Sequence, residues 1–153
     1  KLNGTYLPFG AAGADGQANQ VMQDENSHAN GAASNMAQRA MAKSWAGYNC
    51  ARWDLVDAWA QEGFKLEELK DEALPEEMRK MSIEERMAHI AAKKAEREAL
   101  TKQINELGRS RQEFIDAKVK AEGLTQDKAF DEAVRKAVRE QAARRGMAFG
   151  EGK

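Results

Sequence analysis

Apolar positions in the second half of the chain recur at spacings of three and four. They fall at Ile83, Met87 and Ile90, and again at Leu100, Ile104, Leu107 and Phe114. That is the seam of one long coiled-coil-like helix near 82–121. Between Ile90 and Leu100 the phase slips by three residues. Lys94 and Arg97 then stand in the seam, which reads as a stammer or a weak spot. Ser82 with Glu85 three residues on is a capping box, and Gly123 offers a left-handed cap at the far end. Glu98 to Lys102 and Asp116 to Lys120 are favourable pairs on the exposed side. Gly108 weakens the rod by about 1 kcal/mol against alanine. A last helix near 125–145 carries Phe130, Val134, Ala137, Val138 and Ala142 on one face and ends at Arg144, Arg145 and Gly146.

The first half is less periodic. Ala14 to Tyr48 contains few helix breakers, and Val21, Met22, Ala29, Ala33, Met36, Ala40 and Met41 can share a face. Asn30, Gly31 and Asn35 lower its propensity. Trp45, Tyr48, Trp53, Trp59 and Phe64 form the richest apolar patch, and Trp53, Val56, Trp59 and Ala60 predict a short amphipathic helix from 52 to about 62. Pro8, within Thr5-Tyr6-Leu7-Pro8-Phe9-Gly10, reads as an extended connector or turn, and Gly10 to Gly16 as a flexible turn. Pro75 before Glu76-Glu77-Met78-Arg79-Lys80 predicts a short helix with acids first and bases last.

The fold class is therefore all-α: a helical hairpin or bundle with one long coiled-coil-like helix and an irregular Gly/Ala-rich N-terminal part. Five stretches follow. They are a connector at 1–13, an alanine-rich helix and a tryptophan-bearing helix over 14–64, an acidic linker with the Pro75 helix at 65–81, the long helix at 82–122, and the last helix with its tail at 123–153. The long helix has too narrow a stripe to be stable alone. It must pack against the last helix, the N-terminal helix or a copy of itself.

Composition adds limits. The 153 residues hold 24 basic and 25 acidic side chains, a net charge of −1, which excludes coating of nucleic acid by bulk positive charge. Residues 51–80 carry a net −4, so the acidity is local. No run of eighteen apolar residues occurs, so no span across a membrane is expected. A single cysteine, Cys50, rules out an internal disulfide and a cysteine-based zinc site. The start at Lys1, without methionine or a signal-like run, reads as a fragment or processed product.

Candidate chemistry is thin. Cys50 lacks a nearby histidine and reads as a small buried residue beside the tryptophans. Glu25 and His28 have the Glu-x-x-His spacing of di-iron bundles, but such bundles need two pairs, and Glu85 and His89 stand four apart. Asn3-Gly4-Thr5 fits a glycosylation sequon, a short pattern that often arises by chance. Arg135, Lys136, Arg139, Arg144 and Arg145 could follow phosphates, but Asp131, Glu132 and Glu140 interleave with them and no aromatics alternate. Catalytic residues, metal ligands and cofactors are not expected.

Several segments together resemble the C-terminal region that follows the domain in a group of bacterial von Willebrand factor type A proteins. They are Asn3-Gly4 with Thr5-Tyr6-Leu7-Pro8-Phe9-Gly10, Trp53-Asp54-Leu55-Val56-Asp57, Leu74-Pro75-Glu76-Glu77-Met78-Arg79-Lys80-Met81 with Glu84-Glu85-Arg86, and Ala137-Val138-Arg139-Glu140-Gln141-Ala142. In those proteins the type A domain is a Rossmann-like fold with a divalent ion at an Asp-x-Ser-x-Ser site. That motif is absent from this sequence, so no functional residue carries over. The resemblance implies an accessory helical region, with Lys1 to Asn3 ending the last helix of an upstream domain and 5–10 leaving it. The expected function is non-catalytic protein binding or assembly, with the upstream type A domain, another protein or a second copy as partner. Ile83, Met87, Ile90, Leu100, Ile104, Leu107 and Phe114 form the seam, as core or interface, and Trp53 and Trp59 the aromatic anchor. A metal-binding bundle using Glu25, His28, Glu85 and His89, or nucleic-acid binding through the C-terminal arginines, are the alternatives.

Overall fold

The computed structural model describes residues 1–29, 33–121 and 128–146. The chain is all-α. Five α-helices occur among the described residues: α1 (Gly13–Ala29), α2 (Ala33–Lys43), α3 (Leu55–Trp59), α4 (Ile83–Ala121) and α5 (Lys128–Arg144). Short 3-10 turns at Leu2–Thr5, Leu66–Glu68, Asp71–Ala73 and Glu76–Met78 connect them. The chain divides into two compact units, Lys1–Ser110 and Arg111–Lys153.

The core of the first unit is built from its least helical parts. Leu7, Leu55, Val56, Leu66, Leu74, Met78 and Ile90 are its buried residues, with Phe9, Trp59, Phe64, Leu69, Met81 and Ile83 packed against them. Each fully buried aliphatic side chain contributes roughly 1.5–3 kcal/mol. The stretch 5–10, expected as a connector, buries Thr5, Tyr6 and Leu7. It pairs antiparallel with the start of α3 through a bridge between Pro8 and Asp54. Leu55 N–H donates to the Leu7 carbonyl at 2.8 Å and Phe9 N–H to that of Trp53 at 2.9 Å. Pro8 lacks an N–H, and the bridge places no demand on one. Gly10 then turns the chain at φ +64° and ties it to Ala73 through its N–H.

The acidic 65–81 stretch is likewise packed. Two of its three 3-10 turns bury Leu66 and Met78, and Leu74 is buried just after the third, while the acids face out. Following Pro75 is a single 3-10 turn, shorter than the expected helix, because Arg79 and Arg86 turn back onto it. Arg79 Nε donates to the Leu74 carbonyl at 3.2 Å, and Arg86 Nε to that of Met78 at 3.2 Å.

The alanine-rich helix expected from Ala14 to Tyr48 is two helices that pack together, α1 and α2. Asn30 and Gly31, the low-propensity pair, lie between them, outside the described residues. Gly13 to Gly16, expected in a flexible turn, are helical. The anticipated apolar face of this segment is not its buried one. Val21, Met22 and Met36 are exposed, while Gln20 is buried. Of the aromatic patch, Trp45 stands in water, whereas Phe64 meets Phe9 edge to face at 5.9 Å.

Helix α4 begins with the capping box. Ser82 N–H donates to Glu85 Oε2 at 2.7 Å, and Glu85 N–H to Ser82 Oγ at 3.2 Å. Gly108 does not interrupt it. A Cβ there would come within 3.0 Å of the Met41 thioether end, so the glycine lets α2 approach closely. In the second unit, α5 leaves Val134 and Val138 about half exposed and forms a Lys136–Glu140 ion pair at 4.0 Å. Gly123, Thr125 and the 147–153 tail lie outside the described residues.

Candidate functional site

The residue that interrupts the seam occupies the centre of the polar structure. Arg97, on α4, sends its guanidinium to two other segments at once, the N-terminal turn and the start of α3. Nη1 donates to Asp54 Oδ2 at 2.7 Å and to Asp57 Oδ1 at 2.8 Å. Nε donates to Thr5 Oγ1 at 3.0 Å and Nη2 to the Thr5 carbonyl at 2.6 Å. The same group lies 4.1 Å from the centroid of the Tyr6 ring, and Tyr6 stacks on Trp53 at 5.5 Å and 21°. Gly16 closes the stack: a Cβ there would meet the Trp53 ring at 2.3 Å, so only a glycine lets α1 approach the indole.

Local sequence explains these positions. Asp54 caps α3, its Oδ2 accepting from Asp57 N–H at 3.1 Å, while Oδ1 accepts from Leu7 N–H at 2.7 Å. Asp57, three residues on, turns its carboxylate outward to the Cys50 N–H at 2.7 Å and to Arg97. Burial pulls the Arg97 guanidinium down, but its bonds to Asp54 outweigh that and hold it above its usual value. Burial pushes the Asp57 carboxyl up, against the Cys50 N–H and Arg97. Burial likewise raises the Tyr6 phenol far above its ordinary range. Every oxygen of Asp54 and each nitrogen of Arg97 is engaged, so the cluster is a closed latch between the N-terminal turn, α3 and α4.

A second cluster sits beside it. Asp24 on α1 accepts from Lys43 Nζ at 2.8 Å, Arg39 Nε at 2.9 Å and Asn3 Nδ2 at 2.8 Å, and Lys43 also donates to Asn3. Burial alone would raise the Asp24 carboxyl, but these donors hold it below its usual value. Burial lowers the Lys43 ammonium despite Asp24. Asn3, the sequon asparagine, is thus held by its side chain.

The predicted seam separates into three environments. Ile90 is fully buried and Ile83 packs against the core. Leu100 and Ile104 line a cavity of about 410 Å³ with Leu2, Met36 and the Asp24 cluster. Met87 is 41%, Leu107 70% and Phe114 63% exposed. Of the anchor pair, Trp59 packs on the core, and Trp53 joins the Tyr6 stack. Arg97, Asp54, Asp57, Thr5 and Tyr6 were not foreseen as a cluster. The signal available was a Trp-Asp-x-x-Asp run, which marks Asp54 as a cap, together with a lone arginine in an apolar seam.

Cys50 is buried and reduced. Burial, and then the charge of Asp57, push its thiol above the usual value. The histidine pairs do not assemble as ligands. Glu85 is used in the cap, His89 Nε2 sits 3.2 Å from Glu77, and Glu25 and His28 are exposed on α1. Among the described residues no group of three or more His, Cys, Asp or Glu side chains converges as metal ligands. Arg135, Lys136, Arg139, Arg144 and Arg145 are all exposed. No described helix is long and apolar enough to cross a membrane. No protein-family model, curated protein or solved structure matches this chain.

Proposed function

We propose that the chain is a non-catalytic accessory helical region that mediates protein–protein binding or assembly for a von Willebrand factor type A protein. The observation that supports this reading is the division of apolar residues along α4. Ile83 and Ile90 are spent on the core, whereas Leu107 and Phe114, seven residues apart on the same helix, are left in water. Helices that bind through a groove or a second helix present apolar anchors at such heptad spacing. The Arg97–Asp54 cluster supports the same reading, because its donors and acceptors are consumed within the fold.

The partner is the type A domain or a second copy of the chain. Sedimentation equilibrium of the chain, alone and mixed with a type A domain, tests this. A complex in either sample that is lost in Leu107→Glu and Phe114→Glu, with unchanged circular dichroism, is the expected result. A monomer in both samples overturns the proposal.

A further inference from the structure

The first unit contains a second cavity, of about 480 Å³, that neither polar cluster uses. One wall is a single face of α1, with Asp15, Asn19 and Gln23 at four-residue intervals and Gln20 beside them. Four residues of helix rise about 6 Å, so the three side chains are spread over about 12 Å. The opposite wall is Tyr48, Arg52 and Trp53, from the segment before α3. The volume lies within the range of small-molecule sites.

Three observations define what would fit. First, the lining is charge-neutral: Asp15 and Arg52 are its one anion and one cation. Second, the side chains of Asp15, Asn19, Gln23 and Arg52 make no hydrogen bond or ion pair with another described residue, whereas every guanidinium nitrogen of the neighbouring Arg97 is engaged. Third, Gln20 is only 4% exposed, and its Nε2 reaches just one partner, Tyr48 Oη, at 3.5 Å. That is the outer limit of a hydrogen bond, and the Nε2 group has a second donor to offer at the cavity. Trp53 is fixed there by Tyr6 on one side and Gly16 on the other, which makes its ring a rigid part of the wall.

We propose that this cavity binds a neutral polyhydroxylated ligand, a mono- or disaccharide. Each amide supplies a donor and an acceptor in one plane, which matches a pair of vicinal hydroxyls. Asp15 adds an acceptor and Arg52 a planar set of donors, while Tyr48 and Trp53 offer apolar edges to the C–H groups of a sugar ring. A ligand with a net charge gains little from a lining whose net charge is zero, and an apolar one leaves the amides unpaired. The inference is independent of the assembly reading.

The test is titration of the full ¹⁵N-labelled chain with maltose, cellobiose, diacetylchitobiose and trehalose, each to tens of millimolar. The side-chain amide signals of Asn19, Gln20 and Gln23 and the Trp53 indole signal should shift saturably with at least one sugar. Asn19→Ala and Gln23→Ala, both at exposed positions, should each weaken that binding roughly 3–10-fold with unchanged circular dichroism. No saturable shift with any of the four sugars overturns the proposal. So does saturation by an uncharged blocked tripeptide in their place, which would make the cavity a peptide site.

Discussion

Arg97 Nη1 lies 2.7 Å from Asp54 Oδ2, joining two residues 43 positions apart, and the carboxylate it meets has no exposed surface. A fully buried charge is tolerated only when paired and hydrogen-bonded on all sides, and Asp54 meets that condition through Arg97, Leu7 N–H and Asp57 N–H. The fold therefore depends on a contact that no local propensity encodes.

Removing one partner of this pair leaves the other buried and uncompensated. Arg97→Ala should lose about 3–5 kcal/mol in urea denaturation followed by circular dichroism. Arg97→Lys should recover only part of it, because one ammonium cannot reach Asp54, Asp57 and both Thr5 oxygens. Equal stability of wild type and Arg97→Ala would contradict the latch.

Gly16 and Gly108 separate helix propensity from packing. Both gain up to about 1 kcal/mol of propensity as alanine. At Gly16 the new Cβ meets the rigid Trp53 ring at 2.3 Å, so Gly16→Ala should be destabilised by about 1–3 kcal/mol despite that gain. At Gly108 the nearest atom is the Met41 methyl at 3.0 Å, the free end of a flexible side chain. Gly108→Ala should be neutral or slightly more stable. Thermal unfolding of the two variants side by side decides the comparison.

Asp24 gives the fold an acid-sensitive contribution. Its carboxyl is held below the ordinary value, so it binds a proton more weakly folded than unfolded. Its stabilisation is complete above about pH 3.9, the ordinary aspartate value, and is lost as pH falls through the depressed one. Asp57, whose carboxyl is raised, works with the opposite sign. The stability difference between wild type and Asp24→Asn should favour wild type at pH 7 and shrink towards zero in strong acid. A difference independent of pH would contradict the assignment.

Cys50 should resist alkylation in the folded chain. Burial and the Asp57 carboxylate both disfavour its thiolate, the reactive form. Iodoacetamide should label it slowly in buffer and rapidly in urea at the same pH. Similar rates in the two would contradict the buried placement.

The elements that were legible from sequence are those governed by neighbours. Ser82 and Glu85 specify the start of α4 through a reciprocal cap, and the Ile83–Ile90 spacing identifies its core face. The Pro75 turn was visible, though not its brevity, which follows from Arg79 and Arg86 returning to the Leu74 and Met78 carbonyls. The polar centre was hidden because its members are separated by tens of residues. Arg97 looked like a fault in a seam, when its position among apolar neighbours is what carries it to Asp54. Tyr6 and Leu7 looked like a connector because three residues of extended chain have no periodicity to read. Gln20 was unmarked for a similar reason, since the α1 face it belongs to is polar.

The division of α4 between core and binding positions is tested most directly by Ile90→Ala and Leu107→Ala, with unfolding free energy and association measured on the same samples. Ile90→Ala should lose about 2–5 kcal/mol, as a buried aliphatic truncation does. Leu107→Ala should keep its stability within about 0.5 kcal/mol, as at an exposed site, and lose association with the partner. A Leu107→Ala chain that associates as wild type does, or that is destabilised as much as Ile90→Ala, would contradict the account.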